Sequence, residues 1–89
     1  MLSWSVNFTK EAEGELSKLN SSVRNRVIDK IQWLEDNCDS IFHKELSKDL
    51  KSSYKLRVGD WRVVYKLENK SFIIVIIKID HRSKVYKAK

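Results

Sequence analysis

Two short stretches of the 89-residue sequence gather side chains that can handle a phosphodiester. Residues 54–65 hold Lys55, Arg57 and Arg62 around the dipeptide Gly59-Asp60. Residues 80–87 hold Asp80, His81, Arg82, Lys84, Tyr86 and Lys87. Guanidinium groups grip phosphate oxygens in pairs and keep their charge at any working pH. Imidazole, when unperturbed, exchanges protons near neutrality. A tyrosine ring stacks on a base or offers its hydroxyl. Such a set can clamp a phosphodiester and stabilise the pentacovalent anion formed as it is cleaved. RNA carries its own nucleophile, the 2′-hydroxyl, so positioning, charge stabilisation and proton transfer suffice. DNA offers no such route. A solvated cationic face is the plainer reading of the same residues.

The Gly59-Asp60 dipeptide predicts how the first set is displayed. As a two-residue hairpin loop it pairs Val58 with Trp61, Arg57 with Arg62, Leu56 with Val63 and Lys55 with Val64. Leu56, Val58, Trp61, Val63 and Tyr65 then share the core face, and Lys55, Arg57 and Arg62 share the other. Arg57 and Arg62 become cross-strand neighbours. Like charges so placed are unfavourable by a few tenths to about 1 kcal/mol. The acids after residue 51 are Asp60, Glu68 and Asp80, and none is expected beside the pair.

The rest of the chain must position this hairpin. Residues 2–8 alternate, with Leu2, Trp4, Val6 and Phe8 on one face and Ser3, Ser5 and Asn7 on the other, which predicts a half-buried strand. Thr9 is the expected cap of a helix carrying Glu11 and Glu13 in its first turn. Asn20-Ser21-Ser22 breaks that helix and starts a second, whose apolar stripe is Val23, Val27, Ile28, Ile31 and Leu34, ending near Asn37. Trp33 is expected in the core. Ile41, Phe42, Leu46 and Leu50 anchor either a short helix or an irregular connection across 38–53, which is left unassigned. Strands are predicted at 54–58, 61–67 and 72–79, with a turn at Glu68-Asn69-Lys70-Ser71. A further short strand at 83–87 is open as an added edge. The order β-α-α-β-β-β(β) predicts one α+β domain over residues 1–89. Its twisted, mainly antiparallel sheet is covered by a helical pair.

Composition narrows the chemistry. A single cysteine, Cys38, excludes a disulfide framework and a cysteine zinc site. His43 and His81 show no metal-ligand spacing, and no metal or other cofactor is expected. With two glycines and no proline, a glycine-rich phosphate loop is excluded. The longest apolar run, 72–77, is too short to span a membrane, and polar residues interrupt any leader, so a cytoplasmic protein is expected. Charge is lopsided: net −2 over residues 1–50 and +8 over 51–89. That asymmetry predicts a polyanion-binding surface, with Lys48, Lys51, Lys84 and Lys87 as further RNA contacts.

The chain resembles the RelE/ParE toxin superfamily, and within it the RelE-type branch. The resemblance rests on the element order and the opening strand Val6-Asn7-Phe8. It also rests on Leu16-Ser17-Lys18-Leu19 and, above all, on residues 54–65 and 81–86. It implies a ribosome-dependent, metal-independent mRNA endonuclease that cleaves in the A site by 2′-hydroxyl attack, leaving a 2′,3′-cyclic phosphate. By resemblance, Lys55 and Arg57 take the basic positions of the first hairpin strand. Arg62 stabilises the transition state, Arg82 is the C-terminal catalytic arginine, and Tyr86 orients the substrate. His81 has no counterpart in many members; it serves as acid or base or is incidental, with Lys55 the other proton-transfer candidate. The implied partners are the ribosome with its mRNA and a RelB-like antitoxin, a segment that folds on binding and covers the surface from His81 onward. The contrasting expectation is a ParE-type toxin that binds and inhibits DNA gyrase without nuclease chemistry.

Overall fold

The computed structural model describes residues 3–41, 43–45 and 53–85. The elements are β1 (Ser5–Phe8), α1 (Lys10–Lys18), α2 (Ser21–Asn37), β2 (Lys44–Glu45), β3 (Tyr54–Val58), β4 (Trp61–Glu68), β5 (Ile73–His81) and α3 (Arg82–Val85). They form an α+β fold with a sheet ordered β1-β5-β4-β3-β2. β1 runs parallel to β5, and every other pairing is antiparallel. No helix among the described residues is long and apolar enough to cross a membrane.

Local chemistry sets the helix starts. The Thr9 hydroxyl accepts the Ala12 N–H at 3.1 Å, and the Asn20 carbonyl oxygen accepts the Val23 N–H at 2.9 Å. Each satisfies one of the amide donors that a helix N-terminus leaves without a partner. Thr9→Ala is expected to lower stability by about 1 kcal/mol, read as a shift of the urea midpoint with unchanged slope.

Val27, Ile31 and Leu34, at helical spacing, press α2 onto Leu56, Val58, Val63, Tyr65, Ile74, Ile76 and Ile79 of the sheet. α1 lies along the outer edge of β5 beyond the stretch that β1 pairs. There Glu15 accepts the Ile79 N–H at 2.7 Å, and Lys78 reaches Glu11 and Glu15 at 3.3 and 3.4 Å. Burial pulls the Lys78 ammonium down, but the hydrogen bond to Glu11 and the charge of Glu15 outweigh it and hold it above its ordinary value.

Several expectations are corrected. Trp33 is 40% exposed. It stands roughly 120° round the helix from the Val27–Ile31–Leu34 stripe, so the core cannot reach it. Residues 83–87 add no strand where they are described; Arg82–Val85 is a helical turn. β5 has no edge to offer there, since β4 takes one side and β1 and Glu15 take the other. Part of the unassigned connection is a strand, β2, with Lys44 opposite Lys55 and Glu45 opposite Tyr54. Phe72 opens no strand: it sits in the turn at φ 57 with its ring edge-on to Trp4. Leu2, Phe42, Leu46 and Leu50 lie outside the described residues.

Candidate active site at the hairpin turn

The hairpin register is the one the dipeptide predicts: Val58↔Trp61, Arg57↔Arg62, Leu56↔Val63, Lys55↔Val64. Gly59 takes φ +59 while Asp60 stays out of the positive-φ region, the pattern of a type II′ turn. A side chain there would be strained, and its Cβ would fall 2.6 Å from an Arg26 guanidinium nitrogen.

This turn gathers four arginines. Arg62 donates through Nη1 to the carbonyls of Gly59 and Trp61, both at 2.8 Å. The Arg82 N–H donates to the Asp60 carbonyl at 2.8 Å, which ties the start of α3 to the turn. The Arg82 Nε stands 3.9 Å from the Asp60 carboxylate. Arg26 comes in from α2 against Gly59. Arg57, directly opposite Arg62, is exposed and has no hydrogen bond or ion pair among the described residues.

The row has a third member that the hairpin alone does not reveal. β5 places Asp80 opposite Arg62, so an acid does fall beside the arginine pair. Asp80 accepts the His81 N–H at 2.8 Å and lies 3.9 Å from the Lys78 ammonium. Arg62 itself is 6% exposed, not splayed into solvent. Carbonyls of its own turn satisfy part of the buried head and fix where its charge sits.

The predicted residues are therefore brought together unevenly. Lys55, half-buried, shares the face of Arg57 and Arg62. Arg82 and Lys84 are exposed at the end of the sheet. His81 pairs with Trp61, which puts it on the opposite face, with its ring edge-on to that indole at 5.7 Å. The Ser83 N–H donates to His81 Nδ1 at 3.2 Å, so Nε2 carries the hydrogen of the neutral ring. Tyr86, Lys48, Lys51 and Lys87 lie outside the described residues.

Sequence reasoning missed Arg26 and His43. Arg26 has no local signal, because only the packing of α2 brings it to the turn. His43 stands under the sheet: Nε2 faces the Cys38 carbonyl at 2.8 Å, and Nδ1 meets the Tyr65 hydroxyl at 2.7 Å. A carbonyl only accepts, so Nε2 donates and Nδ1 accepts from Tyr65. Burial and the nearby Asp39 push the Cys38 thiol up to about 11, and burial, helped by Cys38 and Tyr54, pushes the Tyr65 hydroxyl up as well. The folded state thus keeps the Cys38 proton longer than the unfolded chain does. Stability from this group is complete below the unfolded thiol's pKa of 9.0 and is lost as pH rises to about 11. Native Cys38 is expected to resist a disulfide-exchange reagent at pH 8 and to react at once in denaturant, as followed by the absorbance of the released thiolate.

Comparison with known proteins places this geometry. A family model described as the ParE toxin of type II toxin–antitoxin systems, parDE, matches residues 6–86. Toxin RelG of Mycobacterium tuberculosis is 25% identical over 84 residues, covering 94% of this chain and 97% of RelG. The crystal structure of the toxin–antitoxin complex RelBE2 from Mycobacterium tuberculosis contains a chain with a TM-score of 0.79 and 26% identity. That match covers 91% of this chain and 100% of the other. The isolated Escherichia coli RelE toxin shares the fold with a TM-score of 0.75 at 23% identity, covering 94% and 92%. A family match across nearly the whole chain, on the fold those toxins adopt, establishes kinship: the chain belongs to the RelE/ParE superfamily, the toxins of type II toxin–antitoxin systems.

Proposed function

We propose that this toxin is an endoribonuclease that cuts mRNA on the ribosome. One observation carries the reading: Arg57, Arg62 and Arg82 converge on a single two-residue turn that fixes two of them through its own backbone carbonyls. Arg57 and Arg82, exposed, take the scissile phosphate. Arg62, held beneath, adds charge at a fixed position and keeps the turn in shape. In the step proposed, the 2′-oxygen bonds to phosphorus and the bond from phosphorus to O5′ breaks. One proton leaves the 2′-hydroxyl and one arrives at O5′. The arginines stabilise the extra negative charge of the pentacovalent state. Lys55 is the proton-exchanging group on the arginine face; His81, through Ser83, orients the start of α3. Rate–pH profiles of Lys55→Met and His81→Gln assign the proton transfers, since the variant that loses a limb names the group. Tyr86 is the stacking residue, and Lys48, Lys51, Lys84 and Lys87 are further phosphate contacts.

The proposed partner in the resting cell is a RelB-like antitoxin. Solved relatives include toxin–antitoxin complexes, among them the intact Escherichia coli RelBE complex. An acidic segment of such a partner would complement the +8 half of this chain.

The test is primer extension on an mRNA being translated in a purified system, with and without ribosomes, comparing wild type with Arg82→Ala. Ribosome-dependent stops that vanish in the variant support the reading. The ParE name of the matching family favours a second reading, inhibition of DNA gyrase. Uncut mRNA together with blocked supercoiling would select it.

A further inference from the structure

The outward side of α2 carries a strip that the endonuclease reading does not use. Arg26, Lys30 and Trp33 stand at i, i+4 and i+7, which puts them on one line along the helix. Arg26 is exposed, and among the described residues no hydrogen bond or ion pair engages its guanidinium. It lies against Gly59, so the strip begins at the turn that gathers the site arginines. The Lys30 ammonium sits 4.1 Å from the centroid of the Trp33 ring, which is 40% exposed. Asp29 flanks the line and is the one acid between residues 26 and 33. An open indole with cations at its face and along its helix is the arrangement that single-stranded nucleic acid uses: phosphates on the cations, a base on the ring. The length from Arg26 to Trp33 is about 10 Å, roughly the rise of three stacked nucleotides.

We propose that Arg26, Lys30 and Trp33 bind the sugar–phosphate backbone and one base of RNA adjoining the strand held in the candidate active site. The proposal rests on the endonuclease reading and extends its substrate surface from the sheet onto α2. Features suited to a protein partner lie elsewhere on the helix. Ile28, the other exposed large apolar residue among those described, is on the opposite side of α2 and lines a groove with Val6, Phe8, Leu16 and Ile31. The RNA is the mRNA beyond the cut, because the strip begins at the turn that gathers the site arginines; ribosomal RNA is the alternative the test separates. Both present the same backbone chemistry.

The experiment compares wild type, the double variant Arg26→Glu/Lys30→Glu, Trp33→Ala and Trp33→Phe, all on the full chain. Binding is measured to mRNA-programmed ribosomes, to vacant ribosomes and to a free RNA oligonucleotide carrying a 2′-deoxy residue at the scissile position. Weakening on programmed ribosomes alone supports the mRNA assignment; weakening on both ribosome preparations overturns it in favour of ribosomal RNA. The double variant is expected to bind 10- to 100-fold more weakly, with the salt slope of log K reduced by about 2. Trp33→Ala is expected to lose about tenfold, and Trp33→Phe to keep its affinity while losing the fluorescence quenching that RNA causes in wild type. Single-turnover cleavage at saturating toxin stays at the wild-type rate in Trp33→Ala and Trp33→Phe, whose side chain lies outside the arginine cluster. Unchanged affinity and salt slope, with Arg82→Ala still abolishing cleavage, overturn the strip and leave the nuclease reading standing. Unchanged RNA binding with weakened antitoxin capture makes the strip a protein face and overturns the RNA assignment. A wild type that binds none of the three probes and cuts no mRNA overturns both.

Discussion

Arg57→Ala is expected to slow single-turnover mRNA cleavage by about 100- to 1000-fold while leaving the protein as stable as wild type or slightly more so. The two effects have one origin. Arg57 is exposed, stands across from Arg62 and has no ion pair among the described residues. Its charge faces Arg62, whose own charge Asp80 partly offsets, so Arg57 adds nothing to the stability of the free protein and is there for a phosphate to use. Arg57→Lys restores charge but not the two-pronged grip, and should recover only part of the rate. Arg62→Ala makes the contrast. Arg62 is buried and bonded to two turn carbonyls, so its loss lowers rate and stability together. Rates from rapid-mixing primer extension and midpoints from urea titration separate the two patterns. An Arg57→Ala protein that cuts at the wild-type rate removes Arg57 from the site.

Leu34→Ala is expected to destabilise the protein by roughly 3–4 kcal/mol. Leu34 is fully buried in the seam between α2 and the sheet, where little can collapse into the space it leaves. For a chain of this size the total stability is about 5–10 kcal/mol. The melting midpoint should therefore fall by about 15–20 °C in a thermal scan followed by circular dichroism. Leu34→Met keeps the volume and should lose less than about 1.5 kcal/mol. Equal losses for Ala and Met would mean that the seam is not packed as described.

Much of this was legible beforehand, for particular physical reasons. Gly59-Asp60 determined the hairpin register because a two-residue loop leaves one alignment that keeps Leu56, Val58, Val63 and Tyr65 on a common face. Thr9 and Asn20 marked helix starts because side-chain oxygens there answer amide donors that have no other partner. What stayed hidden depends on contacts between elements. Asp80 reaches Arg62 through a β4–β5 alignment that includes an irregularity at Val64/Tyr65, and no turn residue encodes that shift. β2 is two residues long, too short to show a period. Arg26 reaches Gly59 only because α2 crosses the end of the hairpin. His81 was grouped with the arginines by proximity in sequence, and strand parity then turned it to the other face.

The parallel pairing of β1 with β5 has a kinetic consequence. Ser5 meets Ile73 across most of the chain, whereas β3–β4 and β4–β5 are joined by short turns. Closing so long a loop is entropically the most demanding step, so β1 docks after the meander has formed. A contact made after the rate-limiting barrier slows escape without hastening arrival. Val6→Ala should accordingly speed unfolding in stopped-flow measurements and leave the refolding arm of the chevron unmoved. The amides of Ser5 and Thr9, which bond to Phe72 and Ile76, should be the first of the sheet to exchange with heavy water. When β1 lifts, it strains α1 through Thr9 and opens the apolar ground beneath Val6, Phe8 and Leu16. Early exchange at Ser5 and Thr9 would place the first opening of the toxin's sheet at its β1 edge.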